Sequence, residues 1–183
     1  DVTRSRGELA ADLERFTAAS AIAELGMRFG TSEGHAELYD ALVAALEAIG
    51  GSPASASIDA ALAGAWLIVS ELGFAPALDT CASCHAPTAD DATAAFSVPA
   101  GGVLCRRCAS LAGSSRLLPA DARGALRAWV SGTRAPVADD LARRAHQRLL
   151  REFLSQHLAD GRPLRAYEVW ERNGWAGTVE AGT

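Results

Sequence analysis

Apolar residues recur along this chain at three- and four-residue steps, and most of it reads as helix. From Glu8 to Phe29, the positions Leu9, Leu13, Phe16, Ser20, Ala23 and Met27 line one face of a predicted amphipathic helix, closed by Gly30. Ser32 is placed to cap a second helix with Leu38, Leu42, Ala45, Leu46 and Ile49 as its buried stripe and Gly50-Gly51 as its stop. A Ser/Pro/Ala connector over residues 52–57 leads to a third helix, about Ile58 to Leu72, ending at Gly73. That helix is apolar nearly all round (Leu62, Ala65, Trp66, Leu67, Ile68, Val69), so it is expected at the centre of the molecule. Further helices are predicted over Leu117 to Val130, with Pro119 in the first turn, and over Val137 to Leu158, between Pro136 and Gly161. The buried positions of the latter are expected to be Leu141, Ala145, Leu149, Leu150, Phe153 and Leu158. Leu164 to Trp170 reads as a short docking helix sealed by Tyr167 and Trp170, and Gly174 to Thr183 as a loose tail.

Between the third and fourth helices the period is lost. Residues 86–95 read as a polar loop. Phe96-Ser97-Val98, Pro99-Ala100-Gly101-Gly102 and Val103-Leu104 then read as a short hairpin. The expected fold class is mainly α: a helical bundle over 1–75 and 113–173, with a zinc-ribbon-like four-cysteine module inserted at 76–112 and the tail at 174–183.

The 183 residues suit one domain with a small module, and 49% hydrophobic residues against 21% charged are enough for a core. The longest apolar run, Ala60–Val69, is too short to cross a bilayer. The chain opens on Asp1, Arg4, Arg6 and Glu8 without an apolar leader, so no membrane association and a cytoplasmic location are expected. The first residue is not Met, which implies that a longer chain has been cut.

A net charge of −5 argues against nucleic acid, but the charge is unevenly spread. Residues 1–100 carry 4 Arg against 14 acids, whereas residues 101–183 carry 13 Arg against 8 acids, with no Lys anywhere. A basic face in the second half is compatible with that division.

Cys81, Cys84, Cys105 and Cys108 form two C-x₂-C pairs separated by 20 residues, the spacing of a zinc site. A two-residue gap lets one tight turn aim two sulfurs at one point, and four thiolates complete the tetrahedral shell of a structural Zn²⁺ ion. Two disulfides would require an oxidising compartment, a thioredoxin-like pair a strand-to-helix junction, and a zinc deaminase a His-x-Glu partner; His85 is followed by Ala86-Pro87. His85 occupies a position where such knuckles often carry glycine, and it is expected to be a surface turn residue.

The segment from Leu72-Gly73-Phe74-Ala75-Pro76-Ala77-Leu78-Asp79 into Cys81-x-x-Cys84, followed by Phe96-Ser97 and Gly101-Gly102-Val103-Leu104-Cys105-x-x-Cys108, resembles the RecO family of bacterial DNA-repair proteins. His146-Gln147-Arg148-Leu149-Leu150-Arg151-Glu152-Phe153-Leu154 and Arg162-Pro163-Leu164-Arg165 are similar to that family's last helical segment. The resemblance covers nearly the whole chain in the same order, but it starts after the OB-fold domain with which family members begin. It implies a bacterial, nucleoid-associated recombination mediator. Such a protein binds single- and double-stranded DNA, anneals strands, contacts the single-strand-binding protein and pairs with RecR to load RecA.

Two candidate DNA contacts follow from the arginines. Arg106 and Arg107 are displayed between Cys105 and Cys108, and Arg144, Arg148 and Arg151 share one helical face at i, i+4 and i+7 beside Arg143. Contacts of this kind are electrostatic and sequence-independent. No aromatic residues are interleaved to stack bases, and Trp66 and Trp129 read as core. The competing expectation is a zinc-stabilised docking module whose Arg-rimmed groove captures the acidic C-terminal tail of the single-strand-binding protein without touching DNA. No Ser-His-acid set, phosphate loop or paired catalytic carboxylates occur in motif context, so no enzyme activity is expected.

Overall fold

The structure is a computed structural model that describes residues 7–10, 12–30, 35–89, 93–158 and 162–173. Its centre is helix α3 (Ala54–Glu71), in which Ala61, Leu62, Ala65, Trp66 and Ile68 are all fully buried. Pro53, with its φ preset for a helix start, precedes the first turn, so the helix begins earlier in the connector than expected. Around it pack α1 (Leu13–Phe29), α2 (Ala36–Gly51), α5 (Ala120–Val130) and α6 (Asp140–His157); α7 (Arg165–Asn173) closes over α1. The mainly α expectation holds.

Helix α1 buries a different face from the expected one. The Asp12 side chain accepts a hydrogen bond from the Arg15 N–H at 2.8 Å, which separates the helix from a preceding 3-10 turn at Gly7–Ala10. Ala18, Ala21, Ile22 and Leu25 face inward, while Leu13, Phe16 and Met27 are 60%, 55% and 82% exposed. The cause is close approach between helices. A Cβ on Gly64 of α3 would sit 2.4 Å from the Ala45 Cβ of α2, and one on Gly26 of α1 would sit 2.6 Å from Leu42. Alanine-lined seams of this kind bury small side chains, so a stripe chosen by side-chain size points outward. On α2 the buried positions are Leu38, Ala41, Ala45 and Ile49; its first residue follows His35, and Ser32 lies outside the described residues.

Two further expectations are corrected. Residues 116–119 are not the first turn of a helix but strand β3 (Arg116–Pro119), and α5 starts after Pro119. The extended backbone that places Pro119 before the helix also lets Leu118 pair across the sheet. On α6, Leu141 is 77% exposed and Ala145 also faces solvent, whereas His146, Gln147 and Leu154 are buried with Leu149, Leu150 and Phe153. His146 stacks edge-on against Trp129 at 4.8 Å, and the Gln147 backbone carbonyl accepts from the Tyr167 hydroxyl at 2.8 Å. The tail at 174–183 lies outside the described residues.

A three-stranded antiparallel sheet in the order β2-β1-β3, with β1 at Thr93–Ser97 and β2 at Gly102–Leu104, runs past the expected insert at 76–112 to include β3. The hairpin expectation is met, with Phe96 opposite Val103 and Ser97 opposite Gly102. A short helix, α4 (Arg106–Leu111), follows β2. Phe96, Val103 and Leu118 join the same apolar cluster as the helices, so the sheet rests on the bundle.

Polar links fasten it there. Arg123 of α5, only 1% exposed, donates from Nε to the Leu78 carbonyl at 2.9 Å, from Nη1 to the Ala89 carbonyl at 2.8 Å and from Nη2 to Thr88 Oγ1 at 2.7 Å. Arg127 pairs with Asp79 at 2.7 Å, and Arg116 pairs with Glu152 of α6. His157, at the end of α6, hydrogen-bonds the Val98 carbonyl at 2.7 Å.

The buried His146 gives stability a pH signature. Desolvation lowers its pKa to about 4, outweighing Asp121 and Asp59, which raise it. The unfolded chain therefore takes up this proton at higher pH than the folded one. The resulting stability is fully present above about 6.5 and is lost as pH falls toward about 4. Denaturant unfolding across that window should show a loss on the order of 3 kcal/mol, since each tenfold change in proton affinity is worth about 1.4 kcal/mol. The loss should be absent from His146→Leu. Parallel pH profiles for the two proteins would contradict it.

Candidate metal centre and adjoining basic surface

The first cysteine pair sits on a tight turn closed by its own backbone. The Cys81 N–H donates to the Ala86 carbonyl at 2.8 Å, and the His85 N–H donates to the Cys81 carbonyl at 2.8 Å. The second pair straddles the start of α4: Cys105 is its N-cap, Cys108 lies one turn on, and the Ala109 N–H bonds back to the Cys105 carbonyl at 2.8 Å. What brings the two turns together is the edge of β2. The Ala77 N–H donates to the Gly101 carbonyl at 2.9 Å, the Val103 N–H to the Ala77 carbonyl at 2.8 Å, and the Ala82 N–H to the Val103 carbonyl at 2.8 Å. The chain before Cys81 thus runs beside the strand that ends at Cys105. Gly102 is needed for this, because a Cβ there would stand 2.3 Å from the Ala77 carbonyl oxygen.

The four sulfurs lie within 4.8 Å of one another, and Cys84 Sγ is 3.8 Å from Cys105 Sγ. A tetrahedron of sulfurs ~2.3 Å from a central ion has edges of ~3.8 Å, so the spacing suits a four-thiolate metal site. It does not suit disulfides, whose sulfurs are ~2.05 Å apart, and all four cysteines are free. Cys81 is buried and Cys84 exposed, with the other two between these extremes.

Electrostatics fit the same use. Burial raises the Cys81 thiol pKa, but the backbone N–H groups of Cys105, Cys84 and Ser83 outweigh it and bring the pKa down to about 6. At Cys108 the Ser83 hydroxyl lowers the pKa, while the Cys105 and Cys84 sulfurs and burial raise it, to a net of about 12. Thiols this close cannot all ionise without a cation among them, and a dication supplies that charge.

The candidate arginines fall in two places. Arg106 and Arg107 are exposed on the first turn of α4 and have no carboxylate partner among the described residues. Arg144 and Arg148 are exposed on α6, while Arg151 pairs with Glu171 at 3.1 Å and the adjacent Arg143 pairs with Asp59 at 2.6 Å. Arg148 and Arg151 line a groove of about 880 Å³ between the sheet and helices α6 and α7. Phe96, Val98, Pro99, Pro163, Leu164 and Tyr167 give it apolar lining, and Arg116 and Arg162 join the other two arginines at its rim, with Glu152 and Glu168 alongside. The arginine pattern in the sequence missed Arg116 and Arg162. Both lie in the basic half of the chain, but only the fold brings them to α6. Arg123, which ties the inserted segment to α5, was missed as well; its burial has no sequence signal.

The chain is similar to known proteins over most of its length. A family profile described as "Recombination protein O C terminal" matches residues 10–166. A protein named DNA repair protein RecO from Anaeromyxobacter sp. (strain K) is 37% identical over 177 residues, covering 90% of this chain and 65% of that protein. One of the same name from Frankia casuarinae is 36% identical over 174 residues, covering 90% of this chain and 66% of that protein. The chain thus spans just under two thirds of the length of these relatives.

His85 gives the knuckle turn a test. Its φ of 61° lies in the left-handed region, where a side chain costs roughly 1–2 kcal/mol and glycine is at ease. His85→Gly should raise thermal stability by roughly 0.5–1 kcal/mol after the extra freedom of the unfolded chain is subtracted, and it should leave metal binding unchanged. A drop in metal affinity would make the imidazole a ligand.

Proposed function

Because the chain belongs to the RecO family of DNA-repair proteins, we propose that it is a non-enzymatic recombination factor that binds DNA and partner proteins to assist strand annealing and recombinase loading. The observation that carries this reading is the family match over residues 10–166, a span that contains all four cysteines together with Arg106, Arg107, Arg144, Arg148 and Arg151. Cys81, Cys84, Cys105 and Cys108 hold one structural Zn²⁺ ion. With four thiolates in the shell no position is left for water or substrate, so the ion's contribution is folding energy rather than chemistry.

DNA contact is assigned to Arg106, Arg107, Arg144, Arg148 and Arg151, the last of which also pairs with Glu171. The exposed pair on α4 is held by the metal knuckle, and its guanidinium groups can each donate two parallel hydrogen bonds to phosphate. Binding by such a set is weak, sequence-independent and salt-sensitive, on single and double strands alike. RecR and the single-strand-binding protein are the protein partners that the family reading supplies, with the bacterial nucleoid as the place of action. Among the described residues no helix is long and apolar enough to cross a membrane, which is compatible with that location.

The groove supports a second reading, capture of an acidic C-terminal peptide. Among the described residues its lining combines apolar side chains with four arginines against two glutamates, the complement of a peptide that alternates acids with large apolar residues. The single-strand-binding protein's tail is the proposed occupant.

Salt titration separates the two readings. For a labelled single strand, log K against log[salt] should fall linearly, and Arg106→Ala/Arg107→Ala should flatten the slope by about 1.4, or about 0.7 per lost phosphate contact. The affinity loss should be the same for unrelated sequences. An unchanged slope in the double variant would remove the α4 arginines from the DNA contact; a protein that binds only the tail peptide would leave the docking reading in place.

A further inference from the structure

The groove is built from two parts of the chain. One wall comes from the segment framed by the cysteine pairs and the strand just after it: Phe96, Val98 and Pro99 of the hairpin, and Arg116 at the start of β3. The opposite wall, including Arg148 and Leu164, belongs to α6 and the approach to α7. We propose that metal binding at the four cysteines and acidic-peptide binding in this groove are thermodynamically linked, the metal holding one wall in place. This rests on the peptide-capture reading and adds the regulation of that site.

Other contacts hold β1, which pairs with β3 from Thr93–Pro119 to Phe96–Arg116, and Phe96 and Val103 reach the common core; the outer edge of β2 is the part left to the knuckles. β2 is three residues long, and strands this short are marginal without outside support. Its register with β1 ends at the Ala95–Leu104 pair, one residue before Cys105. On its other edge, β2 is stapled to Ala77 and Ala82, which flank Cys81 on the opposite side of the cluster. Drawing the four sulfurs to one point therefore locks both edges of β2 at once. From there the hairpin tip is passed to the bundle by the His157–Val98 hydrogen bond at 2.7 Å, and β3 by the Arg116–Glu152 pair. Both links cross the groove's seam. If the knuckles open, the tip and β3 lose their alignment with α6, while α1, α2 and α3 keep their own packing. Peptide affinity should then fall without global unfolding.

Linkage is reciprocal, and this supplies the test. The probe is a fluorescein-labelled acidic peptide of alternating Asp and Phe or Leu residues, with an Asn-for-Asp copy as control. Fluorescence anisotropy measures its binding to the full chain loaded with Zn²⁺ and to the same chain stripped by a chelator, with circular dichroism reporting retained helix. The peptide should bind the stripped protein at least ~10-fold more weakly, the lower range of ordinary coupling between sites. Saturating peptide should raise the Zn²⁺ affinity, read by competition with a chromophoric chelator, by the same factor. His157→Ala removes the seam bond without altering a cysteine or a groove-lining residue; it should weaken peptide binding to the loaded protein and shrink the effect of the metal. If that variant does not fold, the reciprocal titration on the unaltered chain decides the matter. Equal peptide affinity with and without Zn²⁺, and Zn²⁺ affinity indifferent to peptide, overturns the linkage and leaves peptide capture standing. No preference for the acidic peptide over its Asn copy, even with Zn²⁺ bound, overturns both.

Discussion

Four sulfur atoms from two turns, far apart in sequence, have to share one small volume, and much of the second half of the molecule is arranged to let them. The turn at Cys81 and Cys84 would be an exposed loop on its own. It becomes part of a layer because Ala77 and Ala82 hydrogen-bond to the edge of β2, so the two knuckles arrive side by side. Gly102 permits that approach, since any Cβ there would collide with the Ala77 backbone. Backbone N–H groups aimed at Cys81 lower its pKa, and crowding by the neighbouring sulfurs raises that of Cys108, a repulsion that a cation among them would relieve. The site is shaped for a positive ion.

From this centre the constraint spreads by a few strong contacts rather than by a large core. The sheet contributes Phe96, Val103 and Leu118 to the common apolar cluster, with Ala94 packed against it. Arg123 adds a polar tie by satisfying carbonyls on both sides of the first knuckle from within α5. A buried guanidinium surrounded by acceptors is costly to remove, because the carbonyls it leaves behind are then unpaired. The candidate binding surfaces share this construction. Arg106 and Arg107 stand on the helix that carries two of the cysteines at its start, and the groove has one wall on the sheet and one on the bundle. On the proposed reading, ligand binding and folding of the inserted segment are coupled.

The sequence disclosed some of this and concealed the rest for identifiable reasons. Trp66 and its neighbours announce the central helix because every face of it is apolar, and the C-x₂-C spacing announces the cluster because thiolate geometry leaves few alternatives. The hairpin at Pro99 to Gly102 is legible from its turn residues. By contrast, α1 hides its buried face: in an alanine-lined seam the small side chains are the ones in contact, so Leu13, Phe16 and Met27 mislead. On α6, the expected buried stripe left out His146 and Gln147, which lie beside Trp129 and Tyr167 in the fold. β3 is concealed because Pro119 serves equally as the end of a strand and the start of a helix. The groove could not be read at all, since Arg116 and Arg162 reach Arg148 only through the tertiary fold.

The proposed binding surfaces of the inserted segment rest on the reading of the four cysteines as a metal site. Metal content by mass spectrometry on the purified chain, with Cys81→Ser/Cys105→Ser beside it, tests that reading most directly. The expected result is one zinc per chain, absent from the variant, with a loss of thermal stability that is largest in the segment between the cysteine pairs. A folded, equally stable chain without zinc and with four freely titrating thiols would contradict it.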